Sequence, residues 1–464
     1  MTSGPGTIHD AIVIGGGFAG LSAATLLAAE GARVVVLEAR PHLGGRARSF
    51  VDPETGSVID NGQHLFMGCY RETLRFLERL GSVDRLHLQK RLHVPFLDPG
   101  GRVSAFALPS LPFFSWSVAA GLLGCPGLTA RERWGLLRVA RDVRRRVRRP
   151  ETDRAALDDR SVDSWLSSLA QGAAARARLW HPLAIAALNE APDRAPAALL
   201  LPVLREMFLG GAAGARLGVP RVGLSDLYAE PAARFLRSRG CEVRLRAQVR
   251  EVKHEGGRAG GVVLADGIRF AGRHVIAAVP PRELLEILPP ELAADPFFAR
   301  TARFEASPIV SVYLWFGGEI TDLPFAGLVG GDWQWLFNRR AFTGRDSALH
   351  GVTLVCSAAR SLVEASRDSL VRKALHDLHR FLPASSRAVL RHSLVIKEKW
   401  ATLTPRGQAA ARPSWRTPLP GLHVAGDWTA TGLPATIEGA VLSGHACARQ
   451  VLEDGAARAG GAPR

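Results

Sequence analysis

The apolar run Ala11-Ile12-Val13-Ile14 leads directly into Gly15-Gly16-Gly17-Phe18-Ala19-Gly20, and a helix-like stretch, LSAATLLAAEG, follows. A second apolar run, Arg33 to Leu37, ends on Glu38, eighteen residues beyond Gly20. Strand, tight glycine turn, helix and strand ending in a carboxylate form the dinucleotide-binding fingerprint in its required setting. Gly15 permits the turn. Gly17 lets backbone approach a pyrophosphate, which rests on the helix N-terminus, and Gly20 lets helix and strand pack closely. Glu38 can accept both ribose hydroxyls of an adenosine, and Ala19, Ala39 and Arg40 are the neighbours expected to share the contact. The predicted fold class is α/β, built on a Rossmann-type domain.

Directly after the second strand comes His42-Leu43-Gly44-Gly45-Arg46-Ala47-Arg48-Ser49. The paired glycines clear side chains from the path of a cofactor, and Arg46 can pair with a diphosphate. Near the other end, Leu422-His-Val-Ala-Gly426-Asp427 reads as a strand that delivers a carboxylate to a ribityl hydroxyl. A helix expected to begin near Thr436 and Ile437 turns its positive end toward a flavin's pyrimidine edge. Together these segments resemble the FAD signature of the amine oxidase and phytoene desaturase flavoprotein superfamily. The resemblance implies FAD, held by a Rossmann-type domain into which an α+β substrate domain is inserted. It also implies backbone contacts from Val249 to the adenine; a plain core valine is the other reading.

The stretch IDNGQHLFMG places Gly62, Gln63 and His64 where the superfamily passes a loop beside the isoalloxazine ring. Extended to DNGQHLFMGCYRETLRFLERLG, and joined with GDWTATGLPATIEGAVLSG, it is similar to the hydroxysqualene dehydroxylases of bacterial hopanoid synthesis. That resemblance implies reductive loss of the hydroxyl of hydroxysqualene, or of a related triterpene, by hydride transfer from reduced flavin to an allylic cation. A separate electron donor of unknown identity must reduce the FAD. His64 is the catalytic candidate, with three roles open: proton transfer, flavin positioning, or an ordinary bond to a loop carbonyl. A carotenoid-type desaturase or isomerase is the alternative enzyme, and a non-catalytic flavin scaffold the remote one.

At 464 residues the chain is too long for one simple core. The expected division is a cofactor domain from 1–90, 226–300 and 411–464, and a substrate domain from 91–225 (helical) and 301–410 (sheet). Cys241 to Val252 alternates at period two and reads as one strand of the cofactor domain. Aromatic residues of the second insert, Trp315, Phe316, Phe325, Trp333, Trp335 and Phe337, are candidates to wall an apolar channel.

A formal charge of +16 raises the question of nucleic acid, but only five of the 59 basic residues are lysine, they are spread along the chain, and no DNA or RNA module is present. Anionic lipid headgroups fit the charge better. The segment from Phe106 to Cys125 followed by the arginine run ending at Arg149 reads either as a membrane-contact surface or as buried helices. The five cysteines are scattered without a CxxC pair, which argues against disulfides and metal sites of that kind. With no signal-peptide pattern and no long apolar span, the expectation is a cytoplasmic protein, peripheral on the inner face of the cell membrane.

Overall fold

The structure is a computed structural model and describes residues 8–148, 157–344, 348–404 and 411–460. Arg149, the end of the arginine run, lies outside the described residues. Ile8–Ile14 runs parallel to Val34–Leu37 on one side and to Arg269–Ala277 on the other. Glu242–Arg244 extends this sheet beyond Val34–Leu37, and Leu422–Val424 pairs with the end of Arg269–Ala277, both in parallel. Both faces of the inner strands are covered, so Val34–Leu37 is buried throughout and reads as a continuous apolar run instead of an alternating one. An antiparallel hairpin, Val249–Glu255 and Arg258–Leu264, completes the seven strands.

Small residues set the spacing of the layer above. The helix Phe18–Ala29 is buried on nearly every side. Against it lies the long helix Ile437–Gly460, and the two approach so closely that a Cβ on Gly444 would stand 2.2 Å from the Ala19 carbonyl oxygen. Larger side chains here would separate the helices and tilt the glycine turn that precedes the first of them.

The expected single strand from Cys241 to Val252 is two strands, separated at Leu245–Gln248. Arg246 adopts a left-handed φ of 56°, and the N–H groups of Arg246 and Ala247 bond the carbonyls of Arg40 and Glu38. Alternation of side chains survived in the sequence, but these two bonds turn the chain around the carboxylate-bearing end of Val34–Leu37.

A second seven-stranded sheet is ordered Leu390–Leu403, Ala306–Phe316, His350–Cys356, Trp335–Asn338, Phe325–Leu328, His93–Asp98 and Arg102–Ala107. The last two form a hairpin, so residues 93–107 belong to this sheet even though the chain around them is otherwise mostly helical. Phe96 and Phe106 carry the hairpin's apolar side into a helical layer built from Phe114–Leu123, Ala130–Val147 and Ala197–Leu209. On another face Leu370, Ala374, Leu378 and Phe381 of the helix Arg367–Phe381 cover Val310, Val312 and Leu354. No helix among the described residues is long and apolar enough to cross a membrane.

Candidate active site

A cavity of about 1200 Å³ runs between the two sheets. Pockets for one small ligand usually hold about 300–1,000 Å³, so this one has room for a dinucleotide and a second molecule. Of the residues named from the sequence, Gly15, Gly17, Ala19, Glu38, Ala39 and Arg40 line it, as do Gly44, Gly45, Arg46 and Val249. So do Gly62, Gln63, His64, Gly426, Asp427, Thr436 and Ile437. Gly20 does not. Its part is behind the wall, where a Cβ would fall 1.9 Å from the Gly15 carbonyl oxygen and force strand and helix apart.

Gly15 sits at φ 106°, and a Cβ there would meet the Ala278 carbonyl oxygen at 2.5 Å. Gly17 is different. The nearest atom to its absent Cβ is the Gly45 Cα at 3.9 Å, which leaves the backbone bare toward the cavity. Glu38 is buried beside this turn: one carboxylate oxygen accepts from Gly16 N at 2.8 Å and the other from Arg40 N at 2.9 Å. The carboxylate thereby ties the glycine turn to the end of the second strand, and each oxygen keeps a lone pair for a ligand hydroxyl.

Arg46 and Asp427, each assigned from the sequence to a cofactor contact, hold one another at 2.7 Å. Arg46 also donates to the Ala401 carbonyl at 2.9 Å. Asn61 donates from its side chain both to the Arg46 carbonyl and to Glu398, so Gly44–Arg46, the 61–64 loop and the strand Leu390–Leu403 meet at one corner.

The loop carrying His64 is anchored from below by Asp60. Its Oδ1 accepts from Ser49 Oγ and Leu224 N, and Tyr313 Oη donates to its carbonyl. Burial raises the Asp60 carboxyl from 3.8 to about 6. Above it, His64 Nδ1 stands 2.6 Å from the Gly62 carbonyl oxygen. A carbonyl only accepts, so Nδ1 carries the hydrogen. Burial lowers the ring's pKa from its ordinary value, which leaves the neutral form with a lone pair on Nε2. Gln63 Nε2 is buried without a hydrogen-bond partner among the described residues, a donor that a bound molecule could satisfy.

The helix Ile437–Gly460 begins where expected. Thr436 Oγ1 accepts from Gly439 N at 3.2 Å, the bond of an N-cap, so the N–H groups of the first turn face the cavity end. Glu438, which the sequence reading passed over, caps a different helix: its carboxylate accepts from Glu72 N and Thr73 N, the first turn of Arg71–Arg79. Nothing in local spacing signals a bond across 366 positions.

Past His64 the lining turns apolar. Phe96, Phe106, Leu183, Val203, Trp335 and Phe337 wall the far chamber. Of the aromatic residues proposed for this wall, Trp335 and Phe337 reach it. Trp315, Phe316, Phe325 and Trp333 do not: they are spent in the sheet's own packing, Trp315 against Ile59 and Tyr313. Two polar residues of the lining, Asn189 and Thr402, bond each other at 2.9 Å and were not legible from spacing.

The family model of flavin-containing amine oxidoreductases matches residues 18–452. The chain belongs to that family. It is an FAD-dependent oxidoreductase, and the cavity offers what such a cofactor needs: bare backbone at Gly17, a carboxylate at Glu38, a capped helix start at Ile437 and an unfilled donor on Gln63. Within the family, it is 31% identical over 97% of its length, and 99% of the relative's, to a hydroxysqualene dehydroxylase of Rhodopseudomonas palustris. A hydroxysqualene dehydroxylase of Sinorhizobium fredii is also 31% identical, over 97% of this chain and 99% of the relative. The 15-cis-phytoene desaturase of Solanum lycopersicum is 25% identical over 96% of this chain and 77% of the relative. Among solved structures, a putrescine oxidase superposes with a TM-score of 0.70 at 18% identity, covering 96% of this chain and 99% of that one. An oxidoreductase from Methanosarcina mazei gives 0.71 at 16%, covering 96% and 99%. These two likenesses show the fold.

Proposed function

We propose that this flavin oxidoreductase removes the hydroxyl group of hydroxysqualene to give squalene. The observation that carries the reading is one continuous cavity that joins the dinucleotide cradle to an apolar chamber, in a chain 31% identical to hydroxysqualene dehydroxylase. In the overall change the carbinol oxygen takes up one proton, the C–O bond breaks and water leaves, and a hydride equivalent forms the new C–H bond. Reduced FAD, when bound, supplies the hydride equivalent.

The chain's residues then divide the work. Gly15, Gly17, Ala19 and Glu38–Arg40 take the adenosine diphosphate half, with Arg46 at the diphosphate and the Val249 backbone at the adenine. Gly44 and Gly45 keep the path clear. Gly62–His64, Gly426–Asp427, Thr436 and Ile437 surround the flavin half. Phe96, Phe106, Leu183 and Val203 exclude water from the chamber, and the faces of Trp335 and Phe337 suit a carbon on which positive charge develops. His64, neutral with Nδ1–H on Gly62, offers Nε2 as an acceptor. In that state it orients the substrate hydroxyl and does not protonate it. The first sheet with its helices is the cofactor domain; the second sheet and the helical layer form the substrate domain.

The chain docks on a membrane surface at the inner face of the cell membrane, through the helices Phe114–Leu123 and Ala130–Val147. Phe113 (59% exposed), Trp116 (57%) and Trp134 (65%) project outward, and Arg131, Arg138, Arg141 and Arg145 share Trp134's side of its helix. An aromatic tip ringed by arginines suits anionic headgroups.

The test is anaerobic incubation of FAD-loaded, chemically reduced protein with hydroxysqualene. Squalene as product supports the reading. Unchanged hydroxysqualene, with phytoene instead bleaching the oxidised flavin, would move the assignment to the desaturases that the 25% likeness brings into view.

A further inference from the structure

His274 and His423 sit on the adjacent parallel strands Arg269–Ala277 and Leu422–Val424, both buried, their rings stacked with centroids 5.4 Å apart. His274 Nδ1 faces His423 Nε2 at 3.2 Å. From the helix packed across this face, Asp454 brings Oδ2 to 3.9 Å from the same His274 Nδ1. All three atoms lie within 4.8 Å of one another. Gln450 Nε2 donates to Asp454 Oδ1 at 2.8 Å, which leaves Oδ2 turned toward the pair. None of these residues lines the cofactor cavity.

We propose that His274 Nδ1, His423 Nε2 and Asp454 Oδ2 bind a divalent transition-metal ion of the zinc class. A tetrahedral ion with bonds of about 2.0–2.1 Å to imidazole nitrogen sets ligand edges of about 3.3 Å. The histidine edge already has that length. Asp454, half-exposed on the last turns of its helix, closes the remaining distance by a side-chain rotation. Two imidazoles with one carboxylate select zinc, cobalt or nickel over magnesium and calcium. In the hydrogen bond between the rings either His274 Nδ1 or His423 Nε2 carries the hydrogen, and a shift of that hydrogen to the same ring's other nitrogen frees both lone pairs for the ion. Gln450 plays the supporting part, fixing the carboxylate that binds. Arg258 and Arg416 approach His423 and oppose a cation, so the hold is weaker than in a four-ligand structural zinc site. Water takes the open position on the exposed side of Asp454. The ion would staple the end of the helix Ile437–Gly460 to the strand that leads to Gly426, independently of what the cavity binds.

The experiment titrates zinc or cobalt chloride into the FAD-loaded, tag-free full chain. The expected result is binding that saturates at one equivalent, a visible cobalt spectrum of a four- or five-coordinate site, and a rise in melting temperature as that equivalent binds. Asp454→Ala and His423→Gln should abolish the spectrum and the melting shift while FAD content stays unchanged. If His423→Gln fails to fold, Asp454→Ala, at a half-exposed position, decides alone. A wild-type protein without the cobalt spectrum, or an Asp454→Ala variant that keeps both signals, overturns the site.

Discussion

At Glu38 one side chain does two jobs: it fixes the glycine turn through Gly16 N and remains an acceptor toward the cavity. Glu38→Ala is therefore expected to weaken FAD binding by roughly 1.5–3 kcal/mol, the range for a hydrogen bond to a charged group. Flavin fluorescence on titration measures it, and denaturing the wild-type protein should release the yellow cofactor, since FAD is expected to be held noncovalently. His64 makes a sharper distinction. As a neutral acceptor it contributes about one hydrogen bond, so His64→Ala should slow turnover about tenfold with FAD retained. A loss of about a hundredfold or more would assign it general-acid chemistry instead. Asp60 titrates in the opposite sense from an ion-paired carboxylate. Its folded value of about 6 lies above the ordinary 3.8, so the folded chain binds the proton more tightly than the unfolded one. The penalty is present above pH 6 and fades as pH falls toward 4. Asp60→Asn keeps an acceptor for Ser49 and Leu224, and should stabilise by on the order of 3 kcal/mol at pH 7.5 and only about 1 kcal/mol at pH 4.5. Equal melting shifts at the two pH values would count against a buried carboxylate whose two hydrogen bonds only partly offset its burial.

Among the elements, the paired helices Phe114–Leu123 and Ala130–Val147 reconcile two readings that the sequence held apart. Val118, Leu122, Leu136, Val139 and Val143 are buried in the helical core, while Phe113, Trp116 and Trp134 stand in solvent. The segment is thus both packed and exposed, face by face, as 3.6-residue periodicity allows. Replacing Phe113, Trp116 and Trp134 by serine should move the protein from anionic vesicles to the supernatant in a flotation assay, with FAD content unchanged. Salt alone should release only part of it, because insertion of aromatic rings adds to a screened attraction. Complete release by moderate salt would leave the arginines as the sole contact. The strand break at Leu245–Gln248 and the cap that Glu438 places on Arg71–Arg79 show what spacing does not reveal. Each is a hydrogen bond to a partner distant in sequence, invisible to local periodicity.

At the scale of the whole molecule, the cofactor half was legible because its glycines answer backbone demands that no other residue meets: the left-handed turn at Gly15, the bare approach at Gly17, the packing at Gly20. The apolar chamber was legible only as a class. Trp335 and Phe337 line it while Trp315 and Trp333, equally aromatic, do not: Trp315 shares their face of the sheet but is covered by Ile59, and Trp333 precedes the strand in a bend whose N–H is held by Asp377, contacts set by partners distant in sequence. Asn189 and Thr402 come from parts of the chain 213 positions apart, and only the fold brings them together. What unites the molecule is a single space shared by the dinucleotide cradle and an apolar substrate. The most direct test reduces the FAD-loaded protein chemically in deuterium oxide, where flavin N5 carries deuterium, and gives it hydroxysqualene in the same solvent without oxygen. Squalene carrying one deuterium at the former carbinol carbon is the predicted product, and the oxidised protein should return hydroxysqualene unchanged. Squalene without the label would contradict hydride transfer inside this cavity.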